Sequence, residues 1–282
     1  VIGGKRVVAW IPYGRKKYVS ILLKYLQRDH DRGLIDELWF YMNTDLQGQQ
    51  EDRVWASRVA RQWDWVKTFS RPKDLPRYPK KQMNTMYAYR AMTDPDTVYV
   101  RFDDDIVYVH ENAVKEIVEH KIVSPGLCSF PIIINNAICS WWLQQDGRIP
   151  LEEPDWPEVG FHCMDPIGWA DGGFAIQLHD LLLKHIENGT VDQLFAHHNF
   201  DLPPKQFSVS CFASLGSDYA RVGGELPAEE EDWHTKIRPA QLGVDNTIVG
   251  SALVSHYSFL TQWRHFADDR ILEAYRDLSE QL

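Results

Sequence analysis

Hydrophobic and polar positions follow two alternating periods along the N-terminal part of the chain. "RVVAWIPY" (6–13) is a nearly unbroken apolar run stopped by Pro12 and Gly14, which predicts a buried strand. In "KKYVSILLKYLQR", Tyr18, Ile21, Leu22, Tyr25 and Leu26 recur at helical spacing. "LIDELWFYMNT" (34–44) predicts a second strand, "QEDRVWASRVARQW" a helix, and "WVKTFSRP" a short strand before a proline-rich loop. "QMNTMYAYRAM" predicts a helix that leads into the strand "PDTVYVRFDDD". Strands alternating with helices in this order build a mainly parallel sheet with helices on both faces.

From about residue 124 the alternation breaks. Short apolar runs such as "LCSFPIIINNAI" are separated by loops rich in proline and tryptophan, "RIPLEEPDWPEVGFHCMDP" among them. A helix is predicted at about 175–188, and strands at "QFSVSCFASL" (206–215) and "SALVSHYSF" (251–259). An amphipathic helix is predicted in "FLTQWRHFADDRILEAYRDLSEQL", with Leu260, Trp263, Phe266, Ile271, Tyr275 and Leu278 as its apolar positions. There is no internal repeat and no low-complexity linker. The expectation is one domain over 1–282, with a nucleotide-type half (1–123) and a more irregular half for a second ligand (124–282).

The stretch "TVYVRFDDDIVYV" sets three adjacent carboxylates between two β-forming runs. Val98, Val100 and Phe102 alternate with Tyr99 and Arg101, so Asp103, Asp104 and Asp105 fall at the strand's carboxyl end. In open α/β sheets that is where ligands bind. Mg2+ and Mn2+ take oxygen ligands, often one or two carboxylates together with substrate phosphates. Positions i and i+2 of an extended segment share a face, which sets Asp103 and Asp105 toward one cation and Asp104 elsewhere, toward ribose or sugar hydroxyls. A solvated turn or a helix N-cap region is the structural alternative.

With these residues in view, the sequence resembles the nucleotide-sugar glycosyltransferases of the GT-A fold, in which an Asp-x-Asp motif at a strand end holds a divalent cation on the donor's diphosphate. Asp103-Asp104-Asp105 matches that motif. "VVAWIPYGR" is similar to the first strand and nucleotide-contacting loop, which assigns Pro12, Tyr13 and Arg15 to the donor. In "PKKQMNTMYAYRAM", Lys81 and Asn84 match loosely the basic residue and asparagine before the motif. "SCFASLGSDYARVGGELPAEEEDWHT" (210–235) resembles a segment of inverting members: a small-residue strand, a glycine turn (Gly223-Gly224) and an acidic pair before an aromatic, Glu231-Asp232-Trp233. "ALVSHYSFLTQW" resembles the strand whose histidine adds a metal ligand, here His256. The resemblance covers about 6–120 and 206–263 and leaves 124–205 unplaced.

The resemblance implies a mixed, mainly parallel GT-A-like sheet flanked by helices, with a Rossmann-like nucleotide-binding half and an irregular acceptor half. It implies Mn2+ or Mg2+ on Asp103, Asp105 and His256, and a nucleotide-diphosphate sugar as donor. It makes Asp232 the general base, Glu231 the second choice, and inversion the expected outcome. Each residue has a structural alternative: "AEEEDWH" as an acidic helix start favoured by the macrodipole, Gly223-Gly224 as a plain turn, His256 as a hydrogen-bonded strand histidine. Arg101 and Arg15 suit phosphate pairing as well as salt bridging.

Composition narrows the class further. The 282 residues carry 30 basic and 40 acidic side chains, a formal charge of −10, which disfavours generic nucleic-acid binding. "GRKKY" (14–18) and "PRYPKK" (76–81) are the candidate basic patches. Cys128, Cys139, Cys163 and Cys211 show no C-x-x-C spacing, so buried reduced thiols are expected. No apolar run has the length of a membrane span, and the start leads straight into a strand without a signal-peptide pattern, which predicts a cytoplasmic protein. Asn188-Gly189-Thr190 reads as a helix C-cap turn. Eleven tryptophans offer stacking faces, Trp141, Trp142, Trp156 and Trp169 in the irregular region, and "WADGGFAI" offers Asp171 either to the acceptor or to a helix cap. The acceptor stays open between a saccharide, a lipid-linked intermediate, a protein and a modified nucleic acid. A metal-dependent nucleotidyltransferase or phosphohydrolase, and a non-catalytic nucleotide- or sugar-binding module, are the competing functions.

Overall fold

Val7 to Tyr13 are buried without a break, the mark of a strand covered on both faces. This strand, β1 (Arg6–Tyr13), is followed by β2 (Glu37–Met42), β3 (Val66–Phe69), β4 (Thr97–Phe102), β5 (Ile106–Val109), β6 (Ser129–Ile134), β7 (Phe200–Leu202), β8 (Cys211–Leu215) and β9 (Asn246–His256). The structure is a computed structural model and describes residues 1–43, 49–72, 74–75, 81–150, 156–266 and 269–282, the side chains of 81–83 excepted. Among the described residues the strands form one nine-stranded sheet, ordered β3-β2-β1-β4-β8-β6-β9-β5, with β7 also paired to β9. β1 to β4 run parallel, β8 lies antiparallel between β4 and β6, and β9 runs parallel to β6. β5 and β7 are antiparallel to β9. The sheet is mixed and mainly parallel, as expected, and it takes strands from both halves of the chain.

The helices are α1 (Lys16–Asp31), α2 (Gln50–Gln62), α3 (Ala113–Val123), α4 (Ala137–Gln145), α5 (Gly172–Glu187), α6 (Gly216–Ala220), α7 (Glu230–Asp232), α8 (Arg238–Leu242) and α9 (Arg270–Ser279). α3 packs against β4, β6, β8 and β9, and α1 against β5 and α9. Their apolar faces and the strands share one hydrophobic core.

Several segments differ from the sequence expectation. Lys81–Ala91 coils as a 3-10 helix rather than an α-helix. Only Cys211–Leu215 of the 206–215 run is strand, because the carbonyls of Val209 and Ser210 serve Arg101 and the Asp103 N–H instead of a continuing ladder. The C-terminal helix is confined to Arg270–Ser279. The preceding loop is held by tertiary hydrogen bonds of Gln262, whose carboxamide accepts from the Phe259 N–H. α3, α4 and β7 have no counterpart in the sequence reading, while β5 is the second β-forming run after the aspartates. The helix ending at Glu187 does close on Asn188 and a left-handed Gly189, φ 65°, and all four cysteines are free and buried. No helix among the described residues is long and apolar enough to cross a membrane.

Candidate active site

β1 and β4 lie side by side and parallel, with Trp10 opposite Arg101. Their carboxyl ends therefore open on the same edge of the sheet, with Pro12, Gly14 and Arg15 after one strand and the three aspartates after the other. Beyond Phe102 the chain turns. The Asp103 N–H donates to the Ser210 carbonyl at 2.7 Å, and the Ile106 N–H to the Asp103 carbonyl at 3.2 Å. β5 then pairs with β9, Ile106 opposite His256, and the Tyr257 N–H donates to the Asp105 carbonyl at 2.9 Å. This pairing carries a histidine remote in sequence to the acidic triplet. Ligand atoms of Asp103, Asp105 and His256 lie within 4.8 Å of one another. Asp104 stays out of that cluster, as the alternation predicts, and accepts from Arg15 Nε at 3.0 Å.

Two buried or half-buried arginines balance the carboxylates. Arg15 reaches Asp105 Oδ2 at 2.9 Å as well as Asp104. Arg101 pairs with Asp103 at 2.7 Å and with Glu230 at 2.8 Å, and also donates to the Val209 carbonyl. Thr85 and Tyr89 hydroxyls complete the shell of Glu230. Burial would raise Glu230, but Arg101 outweighs it and keeps the carboxyl below its ordinary value. Asp103 is pushed up to about 6 by burial, against the pull of Arg101. Burial would also raise Asp105, yet His256 and Arg15 hold it well below the usual range. His256 is raised in turn: burial opposes its charge, and the Asp105 carboxylate at 3.3 Å outweighs burial.

These groups sit on the wall of a cavity of about 750 Å³ that also includes Glu231, Gln206, Ser258 and Trp263. Glu231 accepts from Gln206 Nε2 at 2.7 Å. Burial, with Asp232, Glu229 and Asp103 nearby, pushes its carboxyl up to about 7. The segment that presents it is irregular: α7 runs through a π turn, Trp233–Ile237, into α8, a deformation often found at functional sites.

The donor set fits a divalent cation. Two carboxylates and an imidazole converge, and the buried His256 Nδ1 has no hydrogen-bond partner among the described residues. Hard oxygens with one nitrogen suit Mn2+ or a neighbouring transition ion at least as well as Mg2+.

Of the residues singled out in the sequence, Pro12, Arg15, Arg101, Asp103, Asp104, Asp105, Glu231 and His256 all line this one cavity. The others are placed differently. Asp232 is not among the cavity-lining residues and pairs with Lys236 one turn on, at 2.8 Å. The Tyr13 side chain is buried against Trp55, and its hydroxyl donates to the Asp52 carbonyl at 2.7 Å. The Asn84 carbonyl accepts from Tyr41 at 2.6 Å, and the Lys81 side chain lies outside the described residues. Gly223 and Gly224 form a turn with φ 64° and 72°, away from the cavity lining. A Cβ on Gly224 would stand 2.6 Å from Arg90 Cα, so close packing against the 3-10 segment requires that glycine. Asp171 caps α5, accepting from the Gly173 and Phe174 N–H groups, while Trp169 does reach the cavity.

Neither a protein-family model nor a curated protein matches the chain in sequence. Among solved structures, one described as a mycobacterial protein is 13% identical with a TM-score of 0.50, over 98% of this chain and 76% of its own. The likeness is one of fold: a mixed α/β sheet flanked by helices. 4-Diphosphocytidyl-2C-methyl-D-erythritol synthase from Anaerococcus prevotii is 12% identical with a TM-score of 0.45, over 98% of this chain and 99% of its own. Against another structure of that synthase, 11% identical with a TM-score of 0.35, 46% of this chain spans 60% of the other's length. Glucosyl-3-phosphoglycerate synthase from Mycobacterium tuberculosis, in complex with Mn2+, UDP and glucosyl-3-phosphoglycerate, is 12% identical with a TM-score of 0.37, over 67% and 68% of the two chains.

Proposed function

We propose that the protein is a metal-dependent glycosyltransferase that moves a sugar from a nucleoside-diphosphate donor to an acceptor hydroxyl. The observation that carries this reading is the convergence, in one cavity, of the Asp103–Asp105–His256 cluster and a carboxyl whose protonation changes near neutrality, Glu231.

Asp103, Asp105 and His256 would hold Mn2+ or Mg2+. Bound there, the cation supplies Lewis-acid stabilisation of the negative charge that gathers on a departing diphosphate. Arg15, half exposed on the same wall, adds a guanidinium for phosphate oxygens. Arg101 holds Asp103 in place from behind while neutralising Glu230. Glu231 takes the proton from the attacking hydroxyl, in preference to the neighbouring Asp232, whose carboxylate is engaged by Lys236. Direct attack by a hydroxyl activated at Glu231, with no covalent glycosyl intermediate, inverts the anomeric carbon.

A nucleotidyltransferase would deliver an anionic phosphate acceptor to the site. An anionic phosphate acceptor needs no general base, whereas Glu231 on the same cavity offers one to a hydroxyl acceptor, which favours the glycosyl reading. The test is a panel of nucleotide sugars incubated with Mn2+, scored for slow donor hydrolysis and for nucleoside-diphosphate release. Release of nucleoside diphosphate supports the proposal. Release of pyrophosphate from a nucleoside triphosphate, or no turnover of any donor, overturns it.

A further inference from the structure

The cavity has a second wall, and its character differs from the first. Met164 (48% exposed), Leu260 (72%) and Trp263 (50%) are among the few large apolar side chains the described chain leaves in water, and all three line this cavity. Trp169 and Phe259, packed together at a centroid distance of 6.3 Å, continue the same wall. Scattered exposed apolar residues need no explanation, but a cluster at a cavity mouth marks a binding surface.

The loop carrying this wall is fixed rather than loosely draped. Asn135 follows β6 and is fully buried; among the described residues it alone of the non-glycines has a positive φ, 62°. Its Nδ2 donates to the Tyr257 carbonyl at 3.1 Å and to Gln262 Oε1 at 3.0 Å. Gln262, also fully buried, returns a bond from Nε2 to Asn135 Oδ1 at 3.1 Å and accepts from the Phe259 N–H at 2.9 Å. Thr261 ties the same loop to the Trp169 carbonyl at 2.9 Å. A left-handed asparagine is a strained backbone position, and a reciprocal pair of buried amides is costly to leave half made. The fold thus spends strain and buried polarity to hold Leu260 and Trp263 at the surface.

One further fact limits the occupant. Met164, Trp169, Phe259, Leu260 and Trp263 carry no charge, and the described cations of the cavity, Arg15 and Arg101, lie against the carboxylates of Asp103, Asp104, Asp105 and Glu230. We propose that this wall is the acceptor subsite and that the acceptor is an uncharged hydroxyl compound with an apolar ring face, of the aryl-glycoside class, packed on Trp263 and Leu260. The proposal rests on the donor reading above.

The experiment uses the full chain with Mn2+ and the nucleoside diphosphate that binds tightest among UDP, GDP, CDP, ADP and dTDP. Phenyl β-D-glucopyranoside and 3-phosphoglycerate are titrated in parallel, followed by calorimetry and tryptophan fluorescence. Saturable uptake of the phenyl glucoside is expected, with 3-phosphoglycerate at least about tenfold weaker. Trp263→Ala weakens phenyl glucoside binding by about tenfold and Trp263→Phe restores most of it, as for an aromatic packing face. Equal or tighter binding of 3-phosphoglycerate, no saturable phenyl glucoside uptake, or an unchanged Trp263→Ala variant overturns the proposal. Failure of every nucleoside diphosphate to bind removes the donor reading and this one with it. Nucleotide uptake without phenyl glucoside uptake overturns this one alone.

Discussion

Glu231 and Asp232 are neighbours on one short helix, yet their surroundings assign them different work. Glu231 is pushed up to about 7 by burial and faces the cavity; Asp232 is tied to Lys236. Glu231→Gln should lower turnover by about 10²–10⁴-fold, the usual worth of a general base, while Asp232→Asn should stay within a few-fold of the parent. Steady-state rates of the two variants decide the assignment, and the reverse ranking would return the role to Asp232. Because the reactive form is the carboxylate, kcat/KM should fall as pH drops through about 7, and Glu231→Gln should lose that limb of the profile. At this scale strand alternation and a strand end make the acidic triplet readable from residue types, while His256 is singled out only by the resemblance of "ALVSHYSFLTQW" to a family strand. It does not reveal which carboxylate faces the cavity, because one residue on a helix changes direction by about 100°. Glu230, the buried partner of Arg101, lies 129 residues away from it in sequence, and no local signal announces such a pair.

Among elements, β4 carries the most: it lies between β1 and β8 and ends in the site. Arg101 near its end braces both Asp103 and Glu230 from within the protein. Arg101→Met should destabilise the fold by about 3–5 kcal/mol, since it leaves the Glu230 carboxylate buried without its cation; urea unfolding measures this, and a loss under 1 kcal/mol would contradict the bracing role. Gly224→Ala should cost at least about 1–2 kcal/mol from the left-handed backbone alone, with the Arg90 contact added, and should leave nucleotide affinity unchanged. The N-terminal strands and helices were legible because each alternates or repeats over a full element. In the second half β8, β9, α5 and α9 were legible in part, but the order of β6, β8 and β9 comes from pairing across the sheet, and the loop 257–263 takes its form from Asn135 and Gln262 rather than from any period of its own.

For the whole molecule, one sheet joins the edge that carries the Asp103–Asp105–His256 cluster, built by β1, β4, β5 and β9, to a wall of apolar side chains on the loops beyond. The net charge of −10 concentrates meaning at that edge, where Asp103 and Asp105 share space with two arginines instead of with bulk water. A divalent cation on Asp103, Asp105 and His256 would present its remaining positive charge to a diphosphate, so metal and nucleotide should bind better together than either alone. The most direct measurement is a calorimetric titration of nucleoside diphosphates with and without Mn2+, on the parent chain and on Asp105→Asn. The account predicts one nucleotide bound per chain only when Mn2+ is present, a stabilisation of about 2.7 kcal/mol at 100 times the dissociation constant, and loss of both in Asp105→Asn. Equal nucleotide binding without metal, or full Mn2+-dependent binding by Asp105→Asn, would contradict it.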